Sequence, residues 1–189
     1  WAQLYESLGQ QLKDGVDLPW WQDAFVGIYK AFFEEDRWQF YLDGVLTTLW
    51  ITALALILGI VLGVVVAVIR TTHDQQRLGR HNPVLGVLNV ICKIYVTIIR
   101  GTPMMVQLLI MGFIIFKSSR EYTLVGTLTL GINSGAYVAE IVRGGLMSVD
   151  IGQSEAGRSL GLIYLDTMRF IVIPQAFKNI LPALGNEFI

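Results

Sequence analysis

Clustered basic charge is missing from this sequence of 189 residues. Lys and Arg number 14 and Asp and Glu number 15, which gives a formal net charge of −1. Because nucleic-acid phosphates are bound by concentrated Lys and Arg, no nucleic-acid partner is expected. Charged residues are scarce altogether, at 15%, and 53% of the chain is hydrophobic. A soluble domain carries about 25% charged residues, so the composition predicts a membrane protein.

Several chemical motifs are also absent. The lone cysteine, Cys92, cannot form an internal disulfide, and its apolar surroundings predict a packing role. The sequence has no G-x-x-x-x-G-K-[ST] phosphate loop. His73 and His81 have no companions at zinc spacing. We therefore expect no catalytic residue, no metal and no cofactor on this chain.

The longest apolar run extends from residue 44 to residue 69 without a charge, between Asp43 and Arg70. As a helix it would be about 39 Å long, enough to cross a hydrocarbon core of about 30 Å. Gly59 and Gly63 have the small-xxx-small spacing that lets two membrane helices approach closely. This run is the first predicted span.

Two further spans are predicted at about 101–116 and 122–147. The apolar stretch before the second span contains Lys93 and Arg100, so its first part is expected at the membrane interface. Pro103 suits the first turn of a helix, which places the start of the crossing part there. A further helix from about residue 167 contains Pro174 and Pro182, and we expect it to be kinked or interrupted.

Loop charges predict the orientation, because Lys and Arg near span ends remain cytoplasmic. The loop after the first span contains Arg70, Arg77 and Arg80 against a single Asp74, whereas residues 1–43 are acidic. Residues 1–43 are therefore predicted to be an extracytoplasmic segment of amphipathic helices lying on the membrane. Residues 44–189 form the predicted transmembrane domain.

The polar segment 155–174, EAGRSLGLIYLDTMRFIVIP, resembles the EAA loop of permeases in binding-protein-dependent ABC importers. That pattern is Glu-Ala-Ala, three residues, Gly, nine residues, Ile-x-Leu-Pro. The positions that match are Glu155, Ala156, Gly161, Ile171 and Pro174, whereas Gly157 replaces the second Ala and Ile173 the Leu. Blocks at 100–109, 136–149, 152–162 and 174–189 are similar to the polar amino-acid uptake branch of this family.

The resemblance covers about residues 44–189 and implies an all-α membrane protein, a multi-span helical bundle of the ABC importer permease type (MetI-like), truncated at its C-terminus. It implies a coupling helix at about 152–165 that docks on an ATP-binding subunit. The coupling candidates are Glu155, Ala156, Gly157, Ser159, Gly161 and Leu162. We expect this helix to be cytoplasmic and the protein to reside in a bacterial plasma (inner) membrane.

The implied mechanism is alternating access, with transport of a polar amino acid. The implied partners are an ATP-binding cassette dimer, an extracytoplasmic substrate-binding protein, a second permease copy that is identical or different, and the lipid bilayer. ATP hydrolysis would lie on the separate subunit, so this chain is not expected to be an enzyme.

Polar residues in the spans are candidates for the substrate path, because such groups face a protein interior or an aqueous path. These candidates are Arg100, Gln107, Asn133, Ser134, Tyr137, Glu140 and Arg143. Glu140 and Arg143 are three residues apart, so mutual pairing is the alternative role for them. The alternative function is an ion-coupled carrier or channel without an ATPase, which usually needs a carboxylate deep in a span.

Overall fold

A computed structural model describes residues 1–15, 17–75 and 82–187, and these residues contain helices and no β-strand. The predicted all-α class is therefore confirmed. The α-helices are α1 (Ala2–Lys13), α2 (Trp20–Phe32), α3 (Trp38–Gln75), α4 (Pro83–Gly101), α5 (Met104–Ile110), α6 (Tyr122–Met147), α7 (Ile151–Ser159), α8 (Tyr164–Thr167) and α9 (Ile173–Glu187). The chain divides into two compact units, Trp1–Trp50 and Ile51–Ile189.

In the first unit, α1 and α2 pack side by side through aromatic rings. Tyr5 stacks on Tyr29 with ring centroids 4.5 Å apart, and its hydroxyl donates to a Glu34 carboxylate oxygen at 2.9 Å. That hydrogen bond raises the pKa of Tyr5. Other large side chains, Trp1 and Trp20 among them, remain exposed. The helices thus have the amphipathic character predicted, and their extracytoplasmic location stays a prediction.

In the second unit, α3 continues beyond the predicted end of the first span, through Arg70 to Gln75. A charged residue marks where a helix leaves the hydrocarbon, but the backbone hydrogen bonds continue past it. Arg70 therefore lies on the helix rather than in a loop. Arg77, Arg80 and His81, on which the predicted orientation and the histidine argument partly rest, lie outside the described residues.

The second predicted span and the apolar stretch before it contain two α-helices, α5 and α4. Asn82 caps α4 by accepting from the Val84 amide at 3.0 Å, with Pro83 at the first helical position. Among the described residues, the helices long and apolar enough to cross a membrane are 34–75 and Pro83–Gly101, by length and composition. The apolar helix over 104–115 is shorter.

The interfacial location predicted for the first part of the stretch before residue 101 stays a prediction. Two charges do not interrupt a helix of this length, because long basic side chains can extend toward the polar region. A helix begins at Pro103, the N-cap of α5, and its role as the start of a membrane crossing also stays a prediction. A π-helical segment, Met111–Ile115, follows α5.

Helix α6 covers the range predicted for the third span and lies at the centre of the second unit. Ala136 and Ala139 are fully buried there, in a core with Val66, Cys92 and Val96. The packing role predicted for Cys92 is confirmed.

Small residues bring α3 and α6 together, as the Gly59 and Gly63 spacing predicted. A Cβ atom placed on Gly63 would lie 2.6 Å from the Val138 side chain and 2.9 Å from the Gly135 carbonyl oxygen. A Cβ on Gly59 would lie 2.7 Å from the Ser134 hydroxyl. The two backbones are close enough that only glycine fits at these positions.

The predicted coupling segment contains two helices rather than one. Asp150 caps α7 by accepting from the Gly152 amide at 2.7 Å, and α7 ends at Ser159. Gly161 has a φ of +80°, and the Leu162 amide donates to the Gly157 carbonyl at 3.0 Å. This is the Schellman geometry, in which a left-handed glycine ends a helix.

After this turn the chain is helical from Tyr164 to Glu187, with a π-helical segment at Met168–Val172. Pro174 lies two residues after the end of that segment and has no amide hydrogen for the Phe170 carbonyl. The irregularity expected near Pro174 is therefore a π segment, and the helix is not broken. Pro182 lies inside α9.

Candidate functional site

An ion-pair network joins α3 and α6 at one end of the second unit. The Glu140 carboxylate receives a hydrogen bond from Arg70, and its Oε1 atom lies 3.4 Å from Nε of Arg143. Arg143 also lies 3.3 Å from the Asp74 carboxylate. The predicted Glu140–Arg143 pairing is thus confirmed, within a larger network.

Arg70 and Asp74 were missed as site residues by the sequence analysis. They are four residues apart on α3, as Glu140 and Arg143 are three apart on α6, so each pair lies on one helix face. The four-residue spacing of Arg70 and Asp74 was the signal in the sequence that could have identified them. The sequence separation of 70 residues between Arg70 and Glu140 concealed their contact.

Arg100 reaches this network from the end of α4. Its guanidinium lies 3.8 Å from the second Glu140 oxygen and 5.1 Å from the centre of the Tyr137 ring. Three guanidinium groups therefore face two carboxylates, and the cluster has surplus positive charge. Arg100 is the most exposed of the three, at 43%.

A cleft of about 530 Å³ opens beside Arg100. Its lining residues are Arg100, Gly101, Thr102, Pro103, Met104, Asn133 and Tyr137. Three of the predicted substrate-path residues, Arg100, Asn133 and Tyr137, thus meet in one place. A cation, an amide and an aromatic ring around a cleft can hold a small polar molecule that contains a carboxylate.

Gln107 lies behind this cleft and supports it. Its amide nitrogen is 2.7 Å from the Ile99 carbonyl oxygen and 2.8 Å from the Thr102 hydroxyl, and Asn133 donates to its side-chain oxygen at 3.1 Å. The side chain is 8% exposed. Gln107 therefore fastens the turn between α4 and α5 to α6.

Two other predicted path residues lie away from the cleft lining. Ser134 faces Gly59 in the contact between α3 and α6, and Arg143 belongs to the ion network. Tyr95, which was not predicted, donates to the Ile132 carbonyl at 2.6 Å and ties α4 to α6.

The coupling candidates on α7 and the following turn are mostly exposed. Glu155, Ala156, Ser159 and Gly161 face outward, and Leu162 is half-buried. Ser159 donates to the Glu155 carbonyl at 3.0 Å, which stabilises the last turn of α7. Helix α7 is therefore short and capped, and its exposed residues are small or polar apart from Ile151 at its start.

Gly157 faces the other way and is buried against Thr167. A Cβ atom on Gly157 would lie 2.8 Å from both side-chain branches of Thr167 and 3.2 Å from Ile171. The alanine of the EAA pattern would not fit here without a shift. Gly157 thus holds α7 close to the helix that follows it.

Three polar contacts tie this segment to other helices. Gln175 donates to Gln153 at 3.2 Å, and Asn179 donates to Ser148 at 2.8 Å, so α9 is joined to α7 and to the end of α6. Tyr164 donates to the Gln75 side-chain oxygen at 2.6 Å, which joins α8 to the end of α3. Burial raises the pKa of Tyr164.

Comparison with known proteins identifies the family. Residues 83–189 match the family model described as "Binding-protein-dependent transport system inner membrane component". The chain belongs to this family. It is therefore a membrane protein, and the permease family predicted from the EAA-like segment is confirmed. The matched region contains α4 to α9, with the cleft and the coupling candidates.

Relatives in this family are named as transport permeases. The chain is 34% identical over 152 residues to the glutamine transport system permease protein GlnP of Escherichia coli strain K12, and equally to that of Shigella flexneri. Each alignment covers 78% of this chain and 64% of the relative. The chain thus spans about two thirds of the length of these relatives.

A solved structure is similar as well. The crystal structure of an amino acid ABC transporter with histidines has 41% identity to this chain and a TM-score of 0.63. The match covers 78% of this chain and 65% of the other. The two chains therefore share their fold over the matched part.

Among the described residues, no group of three or more His, Cys, Asp and Glu side chains could hold a metal ion. The polar groups in this part of the chain are arranged for ion pairs and for hydrogen bonds between helices.

Proposed function

We propose that this chain is a membrane-spanning permease subunit of an ATP-binding cassette importer, and that it moves a polar amino acid by alternating access. The observation that carries this proposal is the exposed, capped helix α7 with the EAA-like sequence. It contacts α8 and α9, and α8 in turn is joined to α3, so a force applied to α7 would be passed to several membrane helices.

The proposed partners follow from the same helix. An ATP-binding subunit dimer receives α7, a second permease copy, identical or different, completes the transport path, and an extracytoplasmic binding protein delivers the substrate. ATP and magnesium bind on the partner subunit, and this chain has no cofactor of its own and hydrolyses no ATP. In this arrangement α7 is cytoplasmic and residues 1–43 lie on the extracytoplasmic side of the membrane.

The proposed substrate path passes the cleft between Arg100, Asn133 and Tyr137. An amino acid presents a carboxylate, and Arg100 is the exposed cation of a cluster with surplus positive charge. Relatives named for glutamine transport support a polar amino acid as the substrate class. Glu140, Arg143, Gln107 and Ser134 act here by holding the helices that form the cleft.

The ion-coupled carrier is a weaker candidate. Such a carrier needs a carboxylate that is free to exchange a proton or ion. Glu140 is instead surrounded by Arg70, Arg143 and Arg100.

The experiment is co-purification of the full-length permease with its ATP-binding subunit from detergent extracts. We compare wild type with Gly161→Arg and with Gly161→Ala. Both variants place a side chain at a φ of +80°, which costs about 1–2 kcal/mol. Only arginine adds bulk and charge to the proposed docking surface, where space next to Gly161 is open.

We expect the ATP-binding subunit to be retained by wild type, largely retained by Gly161→Ala and lost from Gly161→Arg. Equal loss from both variants would assign the effect to the backbone turn rather than to docking. If wild type retains no ATP-binding subunit, the importer proposal is wrong, and uptake driven by an ion gradient becomes the next measurement.

A further inference from the structure

A second cavity, of about 460 Å³, lies under α7 where it meets the ends of α3 and α6 and the start of α8. Its wall is mainly apolar, formed by Leu146, Met147, Val149, Ile151, Met168 and Val172. Pockets for small molecules have volumes of about 300–1,000 Å³ and walls of this kind. Nothing in the proposed transport path uses this cavity.

One buried polar group on the wall has no partner. Thr167 is 3% exposed, and its hydroxyl oxygen makes no hydrogen bond to any group in the described residues. Buried hydroxyls almost always have a hydrogen-bond partner. The oxygen itself has less than 1 Å² of accessible surface, so a molecule in the cavity reaches it only after a rotation of the Thr167 side chain.

The charged side chain on the cavity wall that lacks an ion-pair partner is a cation. Arg158 lines the cavity and forms no ion pair within residues 1–15, 17–75 and 82–187. The carboxylate on the same wall, Asp74, is already paired with Arg143. The cavity therefore combines an apolar wall, an unpaired guanidinium and an unsatisfied hydroxyl.

We propose that this cavity binds a single-chain anionic amphiphile, a long-chain carboxylate. The hydrocarbon chain lies against the apolar wall, and the carboxylate pairs with Arg158. Molecules of this class concentrate at the membrane surface, where the ends of α3 and α6 are expected. The binding site does not depend on the transport function proposed above.

The test uses the purified full-length permease and a photoreactive palmitate that has a diazirine on its chain. After irradiation, mass spectrometry should locate the label on peptides containing residues 146–149 or 168–172. Unlabelled palmitate should compete, and among shorter carboxylates each methylene that fits should improve competition by about fourfold. A water-soluble carboxylate such as acetate should not compete.

Two pairs of variants separate the site from non-specific labelling. Arg158→Gln should weaken labelling about tenfold, whereas Arg169→Gln removes the same charge outside the cavity wall and should leave it unchanged. Val149→Trp fills the cavity and should abolish labelling. Leu160→Trp adds the same bulk at a residue that is 79% exposed and is the matched control.

The outcomes decide the proposal. Labelling at these peptides that is lost in Val149→Trp and weakened in Arg158→Gln supports it. Absence of label from these peptides, or label that palmitate does not displace, overturns it. Equal competition by palmityl alcohol would overturn the assignment of an anionic ligand, because the alcohol has no charge for Arg158.

Discussion

Helix α6 contacts α3 in two different ways along its length. In the middle, Gly131 and Gly135 meet Leu58 and Leu62 of α3 at distances that leave no room for a Cβ atom. One to two turns later, Glu140 and Arg143 meet the charges of Arg70 and Asp74. The first contact depends on side-chain volume and the second on charge. A substitution that adds volume should therefore destabilise the first contact, and one that removes a charge should destabilise the second.

The largest expected effect is on the charged contact. Glu140→Gln keeps the volume and removes the carboxylate that Arg70 and Arg143 share, so two largely buried cations lose their counter-charge. Removing one member of a buried pair costs several kcal/mol, and we expect about 3 kcal/mol here. Thermal unfolding of the purified permease measures this loss of stability. Glu155→Gln on the exposed face of α7 is the control and should have almost no effect.

A smaller loss is expected in the small-residue contact. Gly63→Ala forces the new methyl group against Val138 and the Gly135 backbone, and overpacking of this kind costs about 1–3 kcal/mol. Gly126→Ala is the matched control on α6, because its Cβ would meet nothing within 4 Å. The same unfolding assay should show Gly126→Ala at or above wild-type stability. If both substitutions destabilise equally, the contact is not limited by volume.

The third prediction extends the volume argument to α7. Gly157→Ala should destabilise by about 1 kcal/mol, because its Cβ meets Thr167. Thr167→Ala removes the side-chain atoms that the new methyl group would meet. Gly157→Ala should therefore lower the stability less in the Thr167→Ala protein than in wild type. The double-mutant cycle measures this coupling, which we expect to be at least about 0.5 kcal/mol. Strictly additive losses would contradict the contact.

The smallest effect is a pH dependence. Burial raises the pKa of Tyr164, whereas the unfolded chain titrates near the ordinary value of 10.0. Above about pH 10 only the unfolded state loses this proton, so stability is fully present below that pH and falls as the pH rises through the folded pKa. Tyr164→Phe should remove this part of the alkaline slope. Unfolding midpoints of both proteins from neutral to alkaline pH test it, and parallel curves would exclude a contribution from Tyr164.

The sequence was informative where a property is local. The charge-free run located α3, the small-xxx-small spacing located the contact surface of α3, and the three-residue spacing of Glu140 and Arg143 predicted their pairing. Each of these signals is contained within one helix. The EAA-like positions likewise predicted the family without any knowledge of tertiary contacts.

Contacts between distant segments could not be predicted in the same way. The pairing of Arg70 with Glu140 and the approach of Thr167 to Gly157 depend on how helices pack, which a single sequence does not state. The sequence did not reveal α4 as one continuous helix for a different reason. Lys93 and Arg100 interrupt its apolar pattern, whereas the helix continues through both residues.

The π-helical segment at Met168–Val172 has a consequence for how this family member tolerates insertions and deletions. A π segment is equivalent to one residue added to an α-helix, and one residue corresponds to about 100° of rotation. Deleting a single residue there would convert the segment to α-helix and leave the face of α9 turned toward its neighbours. Gln175, Asn179 and Ile180 would then keep Gln153, Ser148 and Gly145. Deleting one residue in the α-helical part before these contacts would instead rotate the rest of α9 by about 100°. The π segment therefore lets this helix lose one residue without a change in the rotational phase of α9.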